Sequence, residues 1–182
     1  MNITDNSKNV KIGSTFIALE NGYKYIEEAI ENGATKIITT KGKYSVNTEK
    51  VRNPRKYLIK YLKENYYREI EDIKLIGITG TNGKTTTSYL IYQALNMLGE
   101  KCAYIGTIGF YIDGKIKDLN NTTPDLIELY ELIMEAKKQG CKYVVMEVSS
   151  HSLSYGRING IKFDIAGFTN LTEDHLDYFK KS

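Results

Sequence analysis

Seven consecutive residues, Gly80, Thr81, Asn82, Gly83, Lys84, Thr85 and Thr86, combine types that handle phosphate. They follow an apolar run (Leu75, Ile76, Ile78) and precede a segment with apolar Tyr89, Leu90, Leu95 and Leu98 at helical spacing. That order reads as buried strand, glycine turn and helix. Glycines let a backbone come close to an anion. The free N–H groups at a helix start point at it, and the helix dipole favours negative charge there. Lys84 can reach outer phosphates, and the Thr85 hydroxyl can ligate Mg²⁺. The spacing is a variant one: Gly80 and Gly83 enclose two residues, where the general phosphate-loop motif encloses four.

Other polar residues gather where apolar runs end. Gly106-Thr107 closes one run, with Asn121-Thr122-Thr123 beyond a hairpin signal. Glu147 ends a second run and precedes Ser149-Ser150-His151. Thr169-Asn170 closes a third, just ahead of Glu173-Asp174-His175. In open α/β sheets ligands bind beyond the C-terminal strand ends, so these clusters are site candidates. A carboxylate inside an apolar strand is costly unless paired, hydrogen-bonded or on a metal. Glu147 beside the loop threonine would complete a Mg²⁺ site; its plainer reading is an edge-strand carboxylate in solvent. His175 could be a metal ligand or a base, although spacing alone reads as a surface-loop histidine. His151 reads as structural or capping. A serine nucleophile at Ser149-Ser150-His151 is disfavoured, because no Gly-x-Ser-x-Gly elbow surrounds it.

The elements that must position these residues alternate. Thr15–Leu19 is a short strand, Gly22–Glu31 a helix stopped by Asn32-Gly33, and Thr35–Thr40 a second strand. Lys41–Glu49 reads as loop. Asn53-Pro54 is an N-cap with proline at the first helical position, followed by the stripe Tyr57, Leu58, Tyr61 and Leu62. Polar Asn65–Asp72 reads as a boundary. Beyond it come the loop strand and its helix, a strand at Cys102–Gly109 and a hairpin turn at Asp113-Gly114. Thr123-Pro124 opens a helix that Gly140 ends. Lys142–Val148 and Phe163–Thr169 are near-continuous apolar runs of the kind that parallel strands bury on both faces. The expected fold class is α/β: a small N-terminal α/β domain over residues 1–70, then a doubly wound, mostly parallel sheet domain over 71–182.

The 182 residues are 41% hydrophobic and 26% charged, with a net charge of +3. That is ordinary for a soluble domain and does not argue for nucleic acid. No apolar run reaches the roughly 18 residues of a membrane helix, and MNITDNSKN lacks a signal-peptide core, so the cytoplasm is expected. Cys102 and Cys141 adjoin apolar runs and read as buried thiols rather than a disulfide or metal site.

Five segments together, GITGTNGKTTT (77–87), GTIG (106–109), NTTPD (121–125), MEVSSHSLSYGR (146–157) and FTNLTEDHLDYF (168–179), resemble the Mur ligase family. TDNSKNVKIGSTFIAL (4–19) and GYKYIEEAIENGA (22–34) resemble the UDP-binding domain of that family. The resemblance implies an ATP-dependent amide ligase of peptidoglycan precursor synthesis. ATP would phosphorylate the D-glutamate carboxylate of UDP-MurNAc-L-Ala-D-Glu, and the amine of lysine or meso-diaminopimelate would displace phosphate. By resemblance, Gly80–Thr86 cradle the phosphates and Lys84 neutralises developing charge. Thr85 and Glu147 hold one Mg²⁺ and His175 a second. Asn121, Thr122, Thr123, Ser149 and Arg157 grip the precursor, and Ser7 contacts its uridine end. Two positions depart from the family pattern. Asn6-Ser7-Lys8 stands where Asp-Ser-Arg is usual, and a lysine lacks the arginine fork. Tyr155 stands where a polar substrate contact is frequent.

Family members also continue past the position of Ser182, through a carbamylated lysine that supports the second metal and on to a C-terminal domain. The expectation is therefore that residues 1–182 alone are a fragment without turnover. The alternative is a non-catalytic module that binds nucleotide or precursor and pairs with a separate C-terminal part.

Overall fold

The computed structural model describes residues 1–172. His175 lies outside the described residues. The chain divides into two compact units, the first Met1–Tyr67 and the second starting at Arg68.

The first unit is built on a four-stranded parallel sheet in chain order: β1 (Ile3–Thr4), β2 (Thr15–Ile17), β3 (Lys36–Thr39) and β4 (Asn47–Lys50). A tight helical turn over Gly22–Tyr25 leads into α1 (Ile26–Glu31). Phe16, Ala18, Ile26, Ala29, Ala34 and Ile37 form its core. Helix α2 (Pro54–Tyr66) starts as its sequence dictates: proline takes the first turn, and the Asn53 side chain accepts the Lys56 N–H at 2.9 Å. Strand β4 corrects the loop expected over Lys41–Glu49. Its residues Asn-Thr-Glu-Lys carry no apolar signal. Pairing with β3 and the Lys36–Glu49 ion pair at 2.7 Å make it an edge strand.

The second unit holds a six-stranded sheet of order β10-β5-β9-β6-β7-β8. The strands are β5 (Lys74–Thr79), β6 (Cys102–Gly106), β7 (Gly109–Tyr111), β8 (Lys115–Lys117), β9 (Tyr143–Glu147) and β10 (Ile165–Phe168). The first four in that spatial order run parallel, and β6-β7-β8 form an antiparallel meander turned by Asp113-Gly114. Helices α3 (Lys84–Met97), α4 (Leu126–Lys138) and α5 (Ser150–Ser154) follow β5, the meander and β9. The α4 helix begins at Asp125, whose carboxylate accepts the Leu126 N–H, rather than at Thr123-Pro124. Beneath these helices, Val144, Val145 and Met146 of β9 are fully buried between β5 and β6. Glu147 is therefore on a central strand, which removes the edge-strand reading. Strand β10 departs from the buried-strand expectation: it pairs with β5, yet Ile165 and Phe168 are 58% and 63% exposed. Cys102 and Cys141 are both buried free thiols. Among the described residues no helix is long and apolar enough to cross a membrane.

Candidate functional site

The chain runs from β5 out to β6, returns to place β9 between them, and then adds β10 on the other side of β5. A reversal of strand order of this kind leaves a crevice at the C-terminal strand ends. A cavity of about 620 Å³ opens there. The glycine turn forms one part of it. Gly83 has φ +84°, a left-handed conformation that costs a glycine little, and it delivers the chain into α3. Among the described residues no side chain caps α3, so its first N–H groups have no intrahelical acceptor. The Lys84 ammonium donates to Gly80 O at 2.8 Å and Thr81 O at 2.9 Å, which folds it over the turn.

Glu147 is 0% exposed yet lines this cavity. Four contacts offset the cost of burying its charge. Its Oε1 accepts the Tyr104 hydroxyl at 2.5 Å and the Thr107 N–H at 2.9 Å. Its Oε2 accepts the Thr85 hydroxyl at 2.8 Å and the Thr107 hydroxyl at 3.2 Å. Burial, and then the bond to Glu147, push the Tyr104 phenol above its ordinary pKa. The Tyr104 ring is wedged among Tyr89, Tyr92 and Tyr111, with centroids 5.5, 6.2 and 5.8 Å away. Gly106 makes room for this arrangement, since a Cβ there would collide with Glu147 Oε1 and the Tyr104 hydroxyl.

The donor set suits a hard cation. Thr85 Oγ1 and Glu147 Oε2 are 2.8 Å apart, close to the edge of about 2.9 Å between adjacent ligands of an octahedral Mg²⁺. No group of three or more His, Cys, Asp or Glu that could hold a metal occurs among the described residues. Two protein oxygens completed by phosphate and water are the usual Mg²⁺ arrangement.

Residues 81–86, Asn121, Thr122, Glu147, Ser149 and Arg157 all line the cavity, so most of the residues singled out in the sequence converge. Thr123 does not line it. It is fully buried, donating to Glu147 O at 2.8 Å and accepting the Ser149 N–H at 3.0 Å. Its hydroxyl therefore ties the end of β9 to the meander side, and Arg157 Nη1 reaches its carbonyl at 3.3 Å. Gly80 also lies off the cavity lining. Ser149 caps α5 by accepting the Ser152 N–H at 3.2 Å. Ser7 belongs to the first unit, where it is 5% exposed and donates to Glu28 Oε2 at 2.8 Å. Thr107, from one of the strand-end clusters, lines the cavity too, as do His151, expected to be structural or capping, and Tyr155. Sequence reasoning missed Tyr104 as the partner of Glu147. Tyr104, one of fifteen tyrosines, carried no signal.

A family model described as the Mur ligase middle domain matches residues 78–182. The UDP-N-acetylmuramoyl-L-alanyl-D-glutamate--2,6-diaminopimelate ligase of Clostridium tetani is 43% identical over 98% of this chain and 39% of its own length. The ligase of the same name from Aquifex aeolicus is 42% identical over 98% of this chain and 38% of its own. A solved structure of a ligase of that name superposes with a TM-score of 0.78 at 32% identity, covering 96% of this chain and 37% of that one. The MurF ligase of Thermotoga maritima, solved in complex with ADP, has the same fold at a TM-score of 0.64 and 22% identity. The chain thus spans about two fifths of the length of the relatives it matches. With the family match covering more than half of the 182 residues and starting in the strand that leads into the glycine turn, the chain belongs to the Mur ligase family.

Proposed function

We propose that this chain supplies the nucleotide- and precursor-binding part of an ATP-dependent amide ligase of peptidoglycan precursor synthesis. The observation that carries the reading is the Thr85 hydroxyl on the buried Glu147 carboxylate, inside a polar cavity beside the uncapped start of α3. The relatives' names specify UDP-N-acetylmuramoyl-L-alanyl-D-glutamate and 2,6-diaminopimelate. The proposed reaction joins the same precursor to a diamino acid, either 2,6-diaminopimelate or L-lysine.

In this reaction the terminal phosphoryl group of ATP passes to the glutamate carboxylate and ADP leaves. The amine then attacks the acyl carbon. Its bond to the phosphate oxygen breaks, phosphate departs with the electron pair, and the nitrogen loses a proton. Phosphoryl transfer asks a protein chiefly for positioning and charge neutralisation. The N–H groups that open α3 receive phosphate oxygens, and the Lys84 ammonium meets charge as it develops. Thr85 and Glu147 would hold Mg²⁺, with His175 at a second ion; bound Mg²⁺ supplies neutralisation of phosphate charge. Asn121, Thr122, Ser149 and Arg157 bind the precursor in the same cavity, and Thr123 acts by fixing Ser149. Ser7 binds the uridine end, sharing its hydroxyl with Glu28.

Calorimetry with Mg²⁺-ADP tests the nucleotide site. Replacing Lys84 by alanine removes a charge-assisted contact and is expected to weaken binding roughly 10- to 100-fold. Unchanged affinity in Lys84→Ala would sink the reading. ADP release on adding ATP, precursor and each diamino acid then tests for turnover.

A further inference from the structure

The four residues that follow β10 close over the glycine turn. Thr169 donates its N–H to Thr79 O at 2.9 Å and its hydroxyl to Asn82 O at 2.7 Å. Asn170 accepts the Asn82 N–H on Oδ1 at 3.0 Å and returns an Nδ2–H to Asn82 O at 3.0 Å. The Asn170 carbonyl accepts the Thr81 N–H at 2.9 Å. The Thr81 hydroxyl accepts the Thr172 N–H at 3.0 Å and lies 3.1 Å from the Thr172 carbonyl. Both N–H groups at the crest of the turn are thereby committed to Asn170.

Gly80 fits the same picture. It has φ +131°, and a Cβ there would collide with Thr169 Oγ1 and stand 2.9 Å from Asn170 O. The first glycine of the motif is thus required by the chain closing over it, whereas Gly83 shapes the cavity side.

We propose that Thr169 and Asn170 are positioning residues of the phosphate-binding loop: they fasten Thr81 and Asn82 from outside the cavity, so the loop is shaped before a nucleoside di- or triphosphate arrives. This rests on the nucleotide reading of that loop. A loop held in its binding shape in advance loses less entropy when ligand docks. Neither residue lines the cavity, so their effect on ligand passes through the loop backbone.

The test uses the full 182-residue chain, with amide exchange followed by NMR and Mg²⁺-ADP as the ligand. Asn170 is exposed and Thr169 half-buried, so substitution there leaves both cores intact. In Asn170→Ala, which removes the acceptor of the Asn82 N–H, that amide is expected to exchange about tenfold faster, a hydrogen bond's worth. In Thr169→Val, which frees the Asn82 carbonyl and so loosens the same turn, it is also expected to exchange faster. The amides of Ile76 and Ile78 in β5 keep their wild-type rates. Mg²⁺-ADP is expected to bind about tenfold more weakly. Thr169→Ser, which keeps the hydroxyl, restores both readouts. Unchanged Asn82 exchange, or a loosened loop with unaltered ADP affinity, overturns the proposal. If the wild-type chain fails to bind Mg²⁺-ADP, the nucleotide reading falls, and the exchange measurement alone decides whether the latch holds the loop.

Discussion

A carboxylate shut away from solvent survives only where fixed donors meet it, and Glu147 depends on one chosen for geometry rather than charge. The Tyr104 hydroxyl holds Oε1. Removing it in Tyr104→Phe leaves that oxygen with the Thr107 N–H. The expected cost is about 1–3 kcal/mol of stability, read from urea unfolding. In the same variant Mn²⁺, followed by electron paramagnetic resonance with ADP present, is expected to bind roughly tenfold or more weakly, as when a metal ligand loses its orienting partner. A Tyr104→Phe protein with wild-type stability and Mn²⁺ affinity would contradict the role given to that hydroxyl.

Among the elements, the close approach of β6 to β9 is the least forgiving. Gly106→Ala puts a methyl group where Tyr104 and Glu147 already meet. About 1–3 kcal/mol of destabilisation is expected from such overpacking, measured by thermal or urea unfolding. The turn from β5 into α3 was legible in the sequence, because an apolar strand, glycines and a helix each leave a local pattern. Strand β4 was not, since polar residues form an edge strand only once β3 is beside them. Thr123 was legible as polar but not as buried: its partners Glu147 and Ser149 lie 24 and 26 positions away. The grip of Asn170 on Asn82 spans 88 positions and was equally invisible, although both residues stood out at strand ends.

At the scale of the molecule, the two units carry different titrating groups, and pH should separate them. Burial pushes the thiol of Cys102 up to about 12 and that of Cys141 up to about 11, from 9.0. Both belong to the second unit. Above pH 9 the unfolded chain loses these protons while the folded chain keeps them, so stability falls as pH rises toward 12. In the first unit the raised groups are Lys36, Tyr57 and Tyr61, whose unfolded values are 10.5, 10.0 and 10.0. Between pH 9 and 10 the second unit is therefore expected to weaken first and more, because its thiols titrate from 9.0 in the unfolded chain and the first unit's phenols only from 10.0. The check is the urea midpoint of each core, followed by methyl NMR signals of Ile37 and Ile76; equal losses in both would refute it. At the acid end the loss reaches both units. Glu49 is held low by Lys36, and Asp164 by the Leu75 N–H and then Lys74. Their stabilisation is present above their unfolded values of 4.5 and 3.8, and it disappears as pH falls through the lower folded values.

The ring cluster around Tyr104 also gives the protein a built-in optical reporter. The chain has no tryptophan, so its ultraviolet emission comes from tyrosine alone. Four of those fluorophores, Tyr89, Tyr92, Tyr104 and Tyr111, stand close enough to pass excitation among themselves, and one of them is bonded to Glu147. A carboxylate bonded to a phenol quenches its emission, so the cation proposed at Glu147 is expected to be readable as a change in brightness without attaching a dye.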